Sequence, residues 1–224
     1  MKAFVFAMGK EAHYLKEETE LLETKKHGVA LYEKRKYNGQ TFVLVLSGIG
    51  KSLSAAAISA LPLLYQDVDA VINFGVSGSL NGLLLSPFTY FAPTSFVNYD
   101  IDTVAFGDPK GLFFNPNRVY FESDIALHNL LLLKLQGENL VSEGVEVAGD
   151  SFIAKESKKE ELRKEWKALA CDMETASLAS VCYSLSLPFS ALRLISDSSN
   201  SAEEYERNLD KCARMLKDSA LKLL

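Results

Sequence analysis

Five segments of the chain, residues 3–8, 41–47, 68–74, 89–97 and 189–195, are nearly continuous apolar runs rich in Val, Ile and Phe. A strand with one face in water alternates polar and apolar residues, whereas an unbroken apolar run belongs to a strand covered on both faces. Helical patterns fill the intervals at 51–65, 123–135, 155–166, 174–187 and 202–223. In the last of these, Tyr205, Leu209, Cys212, Leu216, Ala220 and Leu223 recur at three- and four-residue spacings and form one apolar stripe. Pro62 is expected to kink or shorten the helix at 51–65. Residues 31–36 and 41–47 flank Tyr37-Asn38-Gly39-Gln40. Asn-Gly suits a two-residue hairpin turn because both turn positions need φ > 0. Alternating strands and helices with one early hairpin predict an α/β fold, a mixed twisted central β-sheet flanked by helices. With no internal repeat and no linker, the chain reads as one domain over residues 1–224.

Composition narrows the partners. At 224 residues and 48% hydrophobic, the chain has enough apolar mass for a substantial core. A net charge of −5 disfavours a nucleic-acid partner, which calls for a basic face. The three cysteines (Cys171, Cys182, Cys212) and three histidines (His13, His27, His128) are scattered, so neither a disulfide framework nor a zinc site is expected. No run approaches the ~18–20 apolar residues of a membrane span. The apolar start ends at Gly9-Lys10-Glu11 without a small-residue cleavage site, which reads as a buried first strand rather than a signal peptide. A soluble, cytoplasmic protein is expected.

Two glycine-rich segments follow apolar runs. Gly48-Ile49-Gly50-Lys51-Ser52 has the end of a phosphate-binding P-loop, but that motif needs glycine at position 45, which is Val. A tight strand-to-helix turn is the better reading. Gly75-Val76-Ser77-Gly78-Ser79 is expected to form a second such turn at the same sheet end, the edge where open α/β sheets bind ligands.

Charges inside apolar runs must be paired or used. Arg193 lies within Ala191-Leu192-Arg193-Leu194-Ile195, and Asp197 closes that segment. Asp172 and Glu174 flank Met173 where an apolar stretch meets a helix, and Glu11 follows the first strand. Taken singly, each acid also reads as a helix N-terminal carboxylate and Arg193 as a core arginine. Taken together, acids and an arginine gathered at strand ends form a candidate site.

These residues carry a resemblance. Ala7-Met8 with Glu11, Ser47-Gly48-Ile49-Gly50-Lys51, Asn73-Phe74-Gly75-Val76-Ser77-Gly78-Ser79, Asp102-Thr103-Val104-Ala105-Phe106-Gly107, Gly149-Asp150-Ser151-Phe152-Ile153, Asp172-Met173-Glu174-Thr175-Ala176-Ser177 and Arg193-Leu194-Ile195-Ser196-Asp197 run in order along nearly the whole chain. Together they resemble the 5′-methylthioadenosine/S-adenosylhomocysteine nucleosidases of the nucleoside phosphorylase superfamily. The resemblance implies a cofactor-free homodimeric hydrolase acting on a small nucleoside. By it, Glu11 would activate water with Arg193 holding it ionised, Glu174 would bind the ribose hydroxyls, and Met173 would pack beneath the sugar. Asp197, steadied by Ser196, would protonate the purine at N7. Phe152 would stack on adenine and the Ile153 backbone would read its edge. Val76 would also contact substrate, while Met8, Ile49 and a partner subunit's Phe106 would shape the 5′-alkylthio pocket.

The chemistry agrees with these residue types. Cleaving an N-glycosidic bond builds positive charge on the sugar and negative charge on the base, which carboxylates and an acid respectively oppose. Phosphorylases of the superfamily hold phosphate with arginines in the glycine loop after the first strand, here at Gly9, and before the later glycine segment that opens at Gly75. None of the six arginines here is near Gly9 or Gly75 in sequence, and Glu11 would repel phosphate, so hydrolysis is expected. Gly9 and Lys10 stand where relatives often carry further acids. The stretch Ser198-Ser199-Asn200-Ser201 to Tyr205 is short, and Tyr205 replaces a phenylalanine that commonly closes over adenine. Leu112-Phe113-Phe114-Asn115-Pro116 departs from the usual dimer-interface loop. These departures bear on the 5′-group. The alternatives are a nucleosidase for aminofutalosine, 5′-deoxyadenosine or inosine, a phosphorylase, and a non-catalytic nucleoside-binding protein.

Overall fold

Burial on both faces dictates the centre of the molecule. The computed structural model describes residues 1–137, 141–198 and 202–224. Its strands are β1 (Lys2–Phe6), β2 (Glu20–His27), β3 (Ala30–Tyr37), β4 (Gln40–Leu46), β5 (Ala70–Ser79), β6 (Tyr90–Asn98), β7 (Phe121–Glu122), β8 (Val141–Ala148), β9 (Ala168–Asp172) and β10 (Phe189–Asp197). The helices are α1 (Gly9–Glu18), α2 (Lys51–Leu64), α3 (Ile125–Lys134), α4 (Glu156–Trp166), α5 (Thr175–Ser184) and α6 (Ala202–Leu221). The apolar runs became β1, β4, β5, β6 and β10, and every residue of β10 is buried.

β1 lies between β4 and β5, parallel to both. β3 and β2 extend the β4 edge antiparallel. On its other side β5 pairs parallel with β10, and its last residues, Gly78 and Ser79, pair antiparallel with β9. β10 pairs with β6, β6 with β8 and β8 with β9, so this half of the mixed sheet closes on β5. The C-terminal ends of β5, β9 and β10 are thereby brought together.

Helices cover both faces. α2 packs with α5, and α1 with α6. On α6 the stripe Leu209, Cys212, Leu216 and Ala220 is buried as its spacing predicts, and Leu223 is buried just beyond the helix end. Asn38 (φ 46°) and Gly39 (φ 84°) make the expected hairpin between Tyr37 and Gln40. Pro62 sits in the last turn of α2, where it forgoes one i→i−4 hydrogen bond, and the helix ends two residues later.

One expectation is corrected, and two strands form that no sequence signal marked. Gly75–Ser79 is not a turn: β5 continues through Ser79, because small residues let side chains from α1, β9 and β10 approach the strand. The charged stretch around Lys16–Glu23 divides between two elements, since α1 stops at Glu18 and Glu20 opens β2. β2 is an exposed edge strand whose Glu and Lys residues suit an unpaired edge. β8 also forms where no apolar run marked it. Residues 199–201 of the short stretch before Tyr205 lie outside the described residues. No helix among the described residues is long and apolar enough to cross a membrane.

One core layer under α1 and α6 is aromatic. The Phe4 ring lies 5.1 Å from those of both Phe42 and Phe74, and Phe6 stacks on Phe74 at 5.5 Å. Phe4→Ala is expected to lower the unfolding free energy by about 3–5 kcal/mol, the usual range for a truncated core aromatic. Equilibrium urea denaturation reads this directly. A change near zero would remove the aromatic layer from its place in the core.

Candidate active site

The turn from β1 into α1 builds the first wall. Met8 is extended, and Glu11, in the first turn of α1, reaches back to it. Glu11 Oε2 accepts from the Met8 backbone N–H at 3.0 Å, and Oε1 accepts from the Val76 N–H of β5 at 3.0 Å. The carboxyl is therefore held between two backbone segments. Burial pushes its pKa up; Arg193 and the two amides pull it down, and burial is the larger effect. The guanidinium thus favours ionised Glu11, as expected from the sequence, without offsetting the whole cost.

Arg193 occupies the middle of β10, and the strand does not neutralise itself. Its Nη2 pairs with Asp172 Oδ2 of β9 at 3.0 Å, and its Nε lies 3.6 Å from Glu146 Oε1 of β8. Nε donates to Ser77 Oγ (2.9 Å), Nη1 to Asn73 Oδ1 (2.7 Å) and Nη2 to the Val76 carbonyl. Asp197, in the same strand, is not its partner. Gly75 makes the approach possible: a Cβ there would stand 2.5 Å from Arg193 Nη1 and 3.0 Å from Glu11 Oε1. Glu146 was missed in the sequence, although an acid within Val145-Glu146-Val147-Ala148 carries the same signal that singled out Arg193.

At the end of β9 two acids divide two tasks. Asp172 accepts from the Thr175 N–H (3.0 Å) and the Thr175 hydroxyl, capping α5 while pairing with Arg193. The helix-terminal reading of Asp172 was correct, as was its membership of the cluster. Glu174 instead turns to the first glycine segment, where Oε1 accepts from the Gly50 N–H at 2.7 Å. Burial, then the Asp172 charge, pushes Glu174 above the usual carboxylate range. The Lys51 N–H is likewise taken, by Asp150 Oδ1 at 2.8 Å. Two amides of the P-loop look-alike, those of Gly50 and Lys51, are thus committed to carboxylates of the protein.

Asp197 ends β10 beside a register shift against β5. Ser196 Oγ donates to its Oδ1 at 2.7 Å. Burial raises its pKa, while the Ser196 hydrogen bond and the Lys159 charge act the other way. Phe152, just after β8, meets Tyr205 edge-on with ring centroids 6.2 Å apart. The Tyr205 hydroxyl lies 3.8 Å from Met8 Sδ, and burial pushes it up to about 12.

A cavity of about 300 Å³ joins these groups. Met8, Glu11, Ile49, Val76, Phe152, Met173, Glu174, Arg193, Ser196, Asp197 and Tyr205, all expected from the sequence, line it. Ile153 lines a small adjoining cavity with Phe152, Met173 and Asp197. Phe106 is not brought to this cavity. It stands 86% exposed in a short 3-10 turn, Val104–Phe106. Cys171 and Glu206 also line the main cavity and carried no sequence signal.

The chain matches the phosphorylase superfamily over residues 2–224. It is 35% identical to an aminodeoxyfutalosine nucleosidase of Campylobacter jejuni over 84% of each chain. It is 34% identical to a 5′-methylthioadenosine/S-adenosylhomocysteine nucleosidase of Haemophilus influenzae, over 86% of this chain and 84% of that one. Its fold superposes with a TM-score of 0.92, at 27% identity, on the Neisseria meningitidis 5′-methylthioadenosine/S-adenosylhomocysteine nucleosidase in complex with methylthio-immucillin-A, covering 99% and 97% of the two chains. With a family match along its length and nucleosidases as its relatives, the chain belongs to the phosphorylase superfamily and is an N-glycosyl hydrolase of its nucleosidase branch.

Proposed function

We propose that the chain hydrolyses 5′-methylthioadenosine and S-adenosylhomocysteine to adenine and the corresponding 5-thioribose. The observation that carries this reading is one cavity lined by three buried carboxyl groups, Glu11, Glu174 and Asp197, each anchored by a different protein donor.

Asp197 is the general acid. Burial raises its pKa and so favours the protonated form. As the C1′–N9 bond breaks, its electron pair goes to the base, and the Asp197 proton goes to purine N7. Water forms the new bond to C1′ and gives a proton to Glu11. Glu174 binds the ribose hydroxyls, and Met173 packs beneath the ring. Phe152 stacks on adenine, and the backbone at Ile153 reads its edge. The guanidinium of Arg193, with Nε, Nη1 and Nη2 each engaged by protein acceptors, balances the acids and is committed away from any phosphate.

The 5′-group is the finer question. Met8, Ile49 and the Tyr205 ring form an apolar end suited to a thioether. A second reading, an aminodeoxyfutalosine nucleosidase, is favoured by the similarity to the Campylobacter jejuni protein. The enzyme works as a cytoplasmic homodimer in which the partner subunit's Phe106 completes the 5′-pocket. Val104, Phe106 and Phe114 support this, each apolar and more than half exposed.

Asp197→Asn is expected to cut adenine release by about 10²–10⁴-fold, the usual worth of general acid catalysis. Near-normal turnover in that variant would sink the mechanism. In a chromatographic substrate panel, turnover should be highest with 5′-methylthioadenosine and S-adenosylhomocysteine and should persist without phosphate. Preference for aminodeoxyfutalosine would select the second reading. Phe106→Ala should raise KM about tenfold or more for loss of one buried aromatic. Mixing Phe106→Ala chains with Asp197→Asn chains should restore low-KM sites, because each Phe106→Ala subunit then receives an intact Phe106; no recovery would place Phe106 outside the neighbour's site.

A further inference from the structure

α4 is a charged helix whose outer face carries exposed pairs such as Lys164–Glu160 and Lys158–Glu161. Lys159 breaks that pattern. It is 2% exposed, a degree of burial that lysine almost never reaches unless its charge is used. Its Nζ donates to the Ser198 carbonyl at 3.4 Å, and Ser198 directly follows Asp197. Lys159 and Ser198 share a polar cavity of about 400 Å³ with Ser79, Leu80, Glu156 and Arg163. Arg163, one turn along α4, is engaged elsewhere, bonding to the Leu80 carbonyl and to Glu156 at 2.9 Å. The Lys159 ammonium group is thus the cation that α4 directs toward the end of β10.

We propose that Lys159 is a positioning residue for the general acid, holding the backbone behind Asp197 and stabilising the carboxylate that remains once the proton has left. The inference rests on Asp197 as the acid. A buried acid has two opposing requirements. It must keep its proton before the reaction, which burial favours, and the buried anion it becomes must then be tolerated. Ser196 meets part of the second requirement with its 2.7 Å hydrogen bond. Lys159 adds a full charge from the neighbouring helix, and that charge favours ionised Asp197. Facing it from α6, Glu204 accepts from the Ser198 N–H at 2.9 Å and acts on Asp197 in the opposite sense. From β9, the Cys171 thiol, raised chiefly by burial, feels both Asp197 and Lys159. Asp197 therefore sits between a cation on one helix and an anion on another, with the backbone of the next residue, Ser198, tied to both.

The test is the pH profile of kcat at saturating substrate, using the panel nucleoside that the wild-type protein turns over fastest. Activity falls as pH rises through the pKa of the protonated acid, so losing a nearby cation must move that basic limb upward. Lys159→Met is expected to shift it up by about one pH unit, the usual scale for one close charge. Its plateau kcat should fall about tenfold because the acid is weaker, with KM little changed. Lys159→Arg should restore both the limb and the plateau. The shape of the profile does not depend on the folded fraction, and Lys159→Gln serves where the Met variant fails to fold. A basic limb that coincides with wild type in the neutral variants overturns the inference, as does failure of both to fold, which would mark Lys159 as purely structural. An active Asp197→Asn overturns the parent reading instead. An inactive Asp197→Asn beside an unmoved Lys159→Met limb overturns only this one.

Discussion

The guanidinium of Arg193 is the constraint around which the site is assembled. A full charge in the middle of a strand buried on both faces is tolerable only if the surroundings supply acceptors, and three neighbouring strands do so. β5 contributes Asn73, Ser77 and the Val76 carbonyl, β8 contributes Glu146, and β9 contributes Asp172. Removing one member of such a buried pair typically costs about 3–5 kcal/mol, because the remaining charge is stranded. The network therefore ties the ends of β5, β8, β9 and β10 to one another, and the closed half of the sheet keeps those ends adjacent.

The acids around this centre share one environment and differ in their partners. Burial is the largest influence on Glu11, Glu146, Glu174 and Asp197, and it favours the protonated form of each. What separates them is the donor each faces. Glu11 has two backbone amides and a nearby guanidinium, a setting that supports its proposed role as proton acceptor. Asp197 has one hydroxyl and a buried lysine behind the next residue, a setting that supports its proposed role as proton donor. Glycine is part of the same design: at Gly75 any side chain would occupy the space where Arg193 and Glu11 meet.

Much of the fold was legible because burial leaves a strong mark on sequence. The unbroken apolar runs became β1, β4, β5, β6 and β10, the Asn38-Gly39 turn closed its hairpin, and the α6 stripe faced the core. β2 was not legible, because an exposed edge strand is held by hydrogen bonds to its neighbour, and backbone bonds leave no side-chain pattern. The segment from Gly75 to Ser79 was misread as a turn for a related reason. Its glycines mark close approach by other elements rather than a change of direction.

By itself the sequence determined the α/β class, the strands that must be buried, and the residues whose charge demanded a purpose, since these follow from composition and periodicity within short windows. Only the tertiary structure decided the pairings. That Arg193 takes Asp172 and Glu146 rather than Asp197, that Glu174 reaches Gly50, and that Lys159 turns inward to the Ser198 carbonyl behind Asp197 are contacts between residues far apart in the chain. Their energies depend on distance and exclusion of water, which exist only once the sheet has closed and the helices have covered it.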